Sequence, residues 1–252
     1  MTFSEDEVIC IRHWDYSETS QTVGLFTRTT GLVKAIAKGS KRERGGFSGG
    51  VDLLSRANAT IVMKPGSDLA TLVNWSMIEN YPNIRRELKA NKIAYFAADL
   101  MGRMFEALDP HPNMYGAFAH FLRQIGSGEN HTEGRNELSL LEFQWNLLKE
   151  AGVQPSLGRG VEGAQVVHFD PRDGGRVVAS ESATTWKVRS STMDVLDLIK
   201  DTGVELPETI EAASVVRANR LLATYIREVI GEEPFTMRML FGPLQTHIER
   251  PS

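Results

Sequence analysis

The apolar residues of this chain follow two patterns. Up to about residue 80 they fall in short segments rich in β-branched and aromatic residues: EVICIRHWDY, QTVGLFTRTT, LVKAIAKG, ANATIVMKP and LATLVNWSMIE. Such residues suit a pleated, half-buried surface. Turn-forming runs separate them: Ser-Glu-Thr-Ser, Thr-Thr-Gly, a Gly-rich stretch and Lys-Pro-Gly-Ser-Asp. Five strands in so short a span predict a small barrel, of which the OB-fold is the common five-stranded form; an SH3-like barrel fits the same pattern. Beyond this region the spacing becomes helical. Ile84, Leu88, Ile93, Ala97, Leu100, Met104 and Leu108 recur every three to five positions, which predicts one helix over 83–108, started at Pro82-Asn83 and stopped by Asp109-Pro110. Further helices are expected over 113–125, 136–151, 190–200 and 209–230, with a short one near the end. Between them AQVVHFDPRDGGRVVASES reads as two short strands around a turn. The fold class expected is therefore α+β: a five-stranded N-terminal barrel over 1–80, then a helical domain over 81–252 with a small β-hairpin insert at about 153–185.

Composition narrows the function. The single cysteine, Cys10, allows no intramolecular disulfide and no multi-cysteine metal site; among Val8, Ile9 and Ile11 it reads as a small buried apolar residue. There is no apolar run of membrane-spanning length, and the acidic start MTFSEDEVICIRHWD does not read as a secretory signal, so a cytoplasmic location is expected. The net charge of −4 argues against a uniformly basic nucleic-acid coat. Its distribution tells more. From residue 28 to residue 56, Arg28, Lys34, Lys38, Lys41, Arg42, Arg44 and Arg56 face only Glu43 and Asp52, seven cations against two carboxylates, or +5. The Gly-rich centre of that window, GSKRERGGFSGG, is flexible and cationic, as a phosphate-contacting loop between barrel strands would be.

These residues, with Phe47 as a solvent-facing aromatic inside the loop, are the candidate DNA-binding set. Trp14, Tyr16, Phe26 and Trp75 are further aromatics able to stack on bases or fill the barrel. Arg85, Lys89 and Lys92 share a helical face by spacing and, with Arg86, could extend the track; a plain solvated face is the simpler reading. Arg217, Arg220 and Arg227 are read in the same way. No catalytic or metal residue stands out. The GxxxxGK[ST] order is absent around Lys41, there is no GxSxG elbow, and the six histidines lack HExxH spacing. No enzyme activity and no cofactor are expected.

Three stretches carry a family resemblance. RHWDYSETSQTVGLFTRTTGLVKAIAKGSKR resembles the opening of the RecO family of bacterial recombination mediators at Leu25, Phe26, Thr27, Gly31, Ala37, Lys38, Gly39, Lys41 and Arg42. LLEFQWNLLKEAGVQPSL is similar to it at Phe143, Leu147, Leu148, Gly152, Pro155 and Leu157, and RLLATYIREVIGEEPFTMRML resembles its last helices. The resemblance implies an OB-fold, binding of single- and double-stranded DNA and annealing of complementary strands. It also implies partnership with RecR and with the C-terminal tail of single-strand binding protein, in the pathway that loads RecA, and a nucleoid-associated location. A generic OB-fold nucleic-acid module with no mediator role is the alternative. One departure is visible. Many members carry two CxxC pairs that bind zinc in the insert, but the corresponding positions here are near Gly160 and Gly163, and near Val178 and Glu181. The pair Gly174-Gly175 is kept, so a metal-free hairpin is expected there.

Overall fold

The computed structural model describes residues 2–42, 47, 50–127, 134–157, 164–178, 181–200 and 210–243. Its elements are β1 (Thr2–Asp15), β2 (Gln21–Thr27), β3 (Gly31–Ala37), β4 (Arg56–Met63), β5 (Ala70–Glu79), α1 (Pro82–Arg86), α2 (Leu88–Met104), α3 (Pro112–Gly126), α4 (Arg135–Glu150), β6 (Val166–Asp170), β7 (Arg176–Val178), β8 (Trp186–Arg189), α5 (Ser190–Ile199), α6 (Ala212–Ile230) and α7 (Phe235–Phe241). They form two compact units, 1–129 and 130–252. Among the described residues no helix is long and apolar enough to cross a membrane.

The first unit holds a closed barrel in the order β1-β2-β3-β5-β4. All its pairings are antiparallel except β3 with β5, which run parallel through Ala35–Ala70 and Ala37–Leu72. That is the OB-fold. Alternate residues point inward, so Val23 and Leu25 of β2, Val33, Ala35 and Ala37 of β3, and Ala57, Ala59 and Ile61 of β4 fill the interior with Trp75. β1 is long enough to serve both sides, pairing with β4 from Thr2 to Ile9 and with β2 from Val8 to Asp15.

The register of β1 slips once. Cys10 lies opposite Leu25 and Arg12 opposite Gly24, leaving Ile11 as the extra residue of a bulge. Up to Cys10 the even-numbered residues face the core. After the bulge Arg12 and Trp14 point out.

Helices α1–α3 belong to the same unit. Phe26, on the outer face of β2, stacks with Phe105 and Tyr115 at 6.0 and 6.3 Å between ring centroids. The segment after α2 docks on β3 by a Leu32–Ala107 bridge and a hydrogen bond from the Leu108 N–H to the Leu32 carbonyl. Gly31 permits this approach: a Cβ there would lie 2.0 Å from the Asp109 carbonyl oxygen, and its φ is +84°.

The single helix expected over 83–108 is in fact two. Glu87 takes an extended conformation (φ −107°, ψ 118°) between α1 and α2, and the second helix ends at Met104 because Phe105 turns extended to reach β3. Arg85 and Lys89 therefore sit on different helices, so the common face drawn through them is lost.

In the second unit α4 packs on α6, where the Gln144 amide donates to the Asn219 side-chain carbonyl at 2.8 Å. The insert is a three-stranded sheet in the order β7-β6-β8. The expected hairpin is its first two strands; Trp186–Arg189 adds the third. Phe169 of β6 is wholly buried, stacked on Trp186 at 5.6 Å and meeting Tyr225 of α6 edge-on at 5.7 Å. Gly175 closes against it, since a Cβ there would lie 2.9 Å from the Phe169 ring and 2.8 Å from Pro155.

Candidate nucleic-acid interface

The β1–β2 end of the barrel carries the exposed cations and aromatics. The hairpin is closed by the Tyr16 and Ser17 N–H groups, both donating to the Ser20 carbonyl. Beyond the bulge Trp14 lies on the outer face, 47% exposed, and Tyr16 at the tip is 65% exposed. Lys34 of β3 stands on the same face, its Nζ 6.0 Å from the centre of the Trp14 ring. An ammonium at this distance is attracted by the ring's quadrupole, which holds a cation beside a flat surface able to stack on a base.

The basic segment after β3 is tied to this hairpin. Lys41 N–H donates to the Thr19 carbonyl, and Gly39 N–H to Ser20 Oγ at 3.1 Å. The buried Gln21 side chain fixes both ends of the loop, its Oε1 accepting from Ser40 Oγ and from Val51 N–H, each at 3.0 Å. Lys38 and Arg42 are exposed at its start. Lys41 Nζ lies 2.6 Å from an Asp15 carboxylate oxygen. The hydrogen bond from Lys41, then its charge, hold the Asp15 carboxyl below the usual range, so the ammonium already has an anion that a phosphate must displace.

The structure thus brings together Lys34, Lys38, Lys41 and Arg42 with Trp14 and Tyr16. It places the other candidates elsewhere. Arg28 follows the opposite end of β2, about 20 Å from Gln21 at the usual strand rise, and pairs with Glu7 at 3.6 Å. Arg56 bridges Glu7 and Glu79, both at 3.2 Å, with only 19% of its side chain exposed; Arg123 also reaches Glu79. These arginines join barrel to helices within a carboxylate network. Phe47, expected to face solvent, is a correction: it is 7% exposed and belongs to the barrel core, because an aromatic beside an open barrel end gains more from burial than from water. Phe26 and Trp75 are buried too. Arg44 lies outside the described residues. Arg85 pairs with Asp52 at 3.1 Å, Arg86 and Lys89 are exposed and Lys92 half-buried.

Sequence reasoning missed Arg12. Its guanidinium bonds Asp99 of α2, which also accepts from Arg103 Nε at 3.0 Å, and so fixes the hairpin's base to a helix. The opposite side of the barrel is acidic. Glu5, Asp6 and Glu7 line a cleft of about 530 Å³ with Arg28, Asn58 and Asn74; Arg28 pairs with Glu7 and Asp6 is committed to the Thr29 N–H and hydroxyl. Three carboxylates against the single Arg28 leave this cleft with an excess of negative charge, opposite in sign to the hairpin end.

The cysteines through which the resemblance associates zinc with the insert are absent from this sequence, whose one cysteine is Cys10. Val178 is a strand residue, Glu181 stands without a cysteine, and positions 160 and 163 lie outside the described residues. Among the described residues no group of three or more His, Cys, Asp and Glu is placed to hold a metal ion. The one cysteine is buried in the barrel, where desolvation pushes its thiol up to about 12.

A closed barrel in this strand order, with a cation–aromatic hairpin at one end, defines an OB-fold protein. The recombination protein O N-terminal model matches residues 1–81 and the C-terminal model residues 85–238. The chain belongs to the recombination protein O family, RecO. It is 28% identical over 214 residues to the DNA repair protein RecO of Rhodopirellula baltica, covering 81% of this chain and 77% of the relative. Identity to that of Anaeromyxobacter sp. (strain Fw109-5) is 27% over 252 residues, covering 94% and 95%.

Proposed function

We propose that this chain acts in DNA repair as a recombination mediator. It binds single- and double-stranded DNA through Trp14, Tyr16, Lys34, Lys38, Lys41 and Arg42, anneals complementary strands and helps load RecA onto DNA coated with single-strand binding protein. The observation that carries this reading is the exposed Trp14 ring beside the Lys34 ammonium on the hairpin end of an OB barrel. Ammonium and guanidinium groups answer to phosphates and the ring to any base, so binding without sequence preference follows. The relatives' name, DNA repair protein, supports the same role.

The partners expected from the family are RecR and the tail of single-strand binding protein. An acidic, apolar-tipped peptide needs apolar surface beside cations; α6 and α7 offer exposed Val216 and Phe235 together with Arg217, Arg220 and Arg238. The test is annealing of complementary oligonucleotides coated with single-strand binding protein, without nucleotide. The mediator reading expects the full chain to accelerate it, more so with RecR present. Tight DNA binding without annealing would leave only a generic OB-fold module.

A further inference from the structure

The segment 51–55, which leads from the basic loop into β4, runs beside the bulge of β1. Leu54 N–H donates to the Cys10 carbonyl and Cys10 N–H to that of Ser55. Between this segment, His13 and the α1–α2 pair lies a pocket of about 240 Å³. Its floor is apolar and buried: Leu54, Tyr81 and Ile84. Asn80 and Asn91 line it, and the exposed Arg85 and Tyr95 stand at its rim.

We propose that this pocket takes one unstacked nucleobase of single-stranded DNA held on the neighbouring Trp14–Lys34 surface; the proposal rests on the DNA-binding reading above and names a second contact for it. Size is the first ground. The volume falls below the roughly 300–1,000 Å³ of sites for drug-sized ligands and suits a single planar heterocycle. Unused hydrogen-bonding capacity is the second. Among the described residues the Asn80 and Asn91 side-chain amides and the Tyr95 hydroxyl make no hydrogen bond. A carboxamide sets a donor beside an acceptor, the pairing with which asparagine reads a base edge, and extruded bases are held by such bonds between aromatic and apolar walls.

The third ground is backbone strain at the floor. Leu54 has φ +61° without being glycine, and residues in this region cluster at ligand clamps. The rim completes the site. Arg85 is anchored by Asp52 at 3.1 Å, yet over half its side chain is exposed, so its guanidinium can meet the phosphate of the nucleotide whose base enters. His13, in the pocket wall, is the chain neighbour of Trp14, so the two contacts are adjacent along one strand.

The test uses the full chain and an oligothymidylate carrying 2-aminopurine at successive positions. The fluorescence change at one position should be large with the natural protein and absent in Asn80→Ala and Asn91→Leu. Affinity should fall by about tenfold, ~1.4 kcal/mol, with the salt dependence kept. Variants that bind as tightly as the natural protein, with the same fluorescence change, overturn the pocket while leaving the Trp14–Lys34 surface standing. A natural protein that binds no oligonucleotide overturns both. Should either variant misfold, photocrosslinking of 5-iododeoxyuridine DNA to the natural protein decides. Adducts on Tyr95 support the proposal; adducts confined to Trp14 and Tyr16 reject it.

Discussion

Replacing Lys34, Lys38 and Arg42 together by alanine tests the interface through a quantity that a folding defect does not mimic. All three side chains are exposed, so stability should change little. Four cations gather at the hairpin end, and if each neutralises one duplex phosphate, log affinity falls with log salt at a slope of about −3.6, taking about −0.9 per contact. Raising salt from about 50 to about 200 mM then weakens the natural protein by roughly 150-fold. The triple variant keeps only Lys41, so its slope drops to about −0.9 and the same salt step costs about 3.5-fold. Fluorescence anisotropy with a labelled duplex, titrated at several salt concentrations, reads the slope directly. A variant with unchanged circular dichroism and a slope still near −3.6 would show that the phosphates are met elsewhere, and the assignment of this surface would be wrong.

Other expectations separate the remaining parts. Trp14→Ala should weaken single-strand binding by about 1–3 kcal/mol through lost stacking and leave duplex affinity nearly unchanged; equal losses on both would make Trp14 structural. Asp15→Asn removes the competing anion from Lys41 and should tighten duplex binding, with the salt slope kept at about −3.6 because Lys41 is already one of the four contacts; weaker binding in the same titration would mean that Asp15 orders the loop. Phe169→Ala should cost about 3–5 kcal/mol in urea unfolding of the second unit, whereas a chelator should leave the transition where it was; loss of stability on chelation would point to a metal. The Cys10 thiol, buried and pushed up to about 12, should resist alkylation near pH 8 until denaturant is added, and rapid labelling of the folded protein would contradict its place in the core.

Much of this could be read from the residues, and what could not has physical causes. The five strands declared themselves because β-branched runs between turn residues have few other uses, and the cations from Lys34 to Arg42 stayed together because one strand end and one turn carry them. The bulge at Ile11 is invisible in sequence. It turns Arg12 and Trp14 outward when strict alternation would send them inward with Val8 and Cys10. Arg28 and Arg56 looked like part of the charged window because their partners, Glu7 and Glu79, lie far away in sequence. Phe47 was misjudged from its polar, Gly-rich neighbours; depth in a barrel is a tertiary property. The extended residue at Glu87 interrupts a helical periodicity that runs straight through it. The strand of Trp186 was not expected at all, because it is short and finds its meaning only against Phe169.

Gln21 has a last consequence, for how this surface can evolve. One carbonyl oxygen grips the chain on either side of the cationic stretch, at Ser40 and at Val51, much as a single button closes both ends of a strap. Between those two points Phe47 keeps its place in the barrel core, so changes of length that leave it there need not disturb strand register. Doubling the enclosed length would cost only about 0.6 kcal/mol of closure entropy. Descendants of this gene are therefore free to lengthen, shorten or recharge the strap while the barrel beneath it stays the same, and Gln21→Ala should make even small changes in that length harmful.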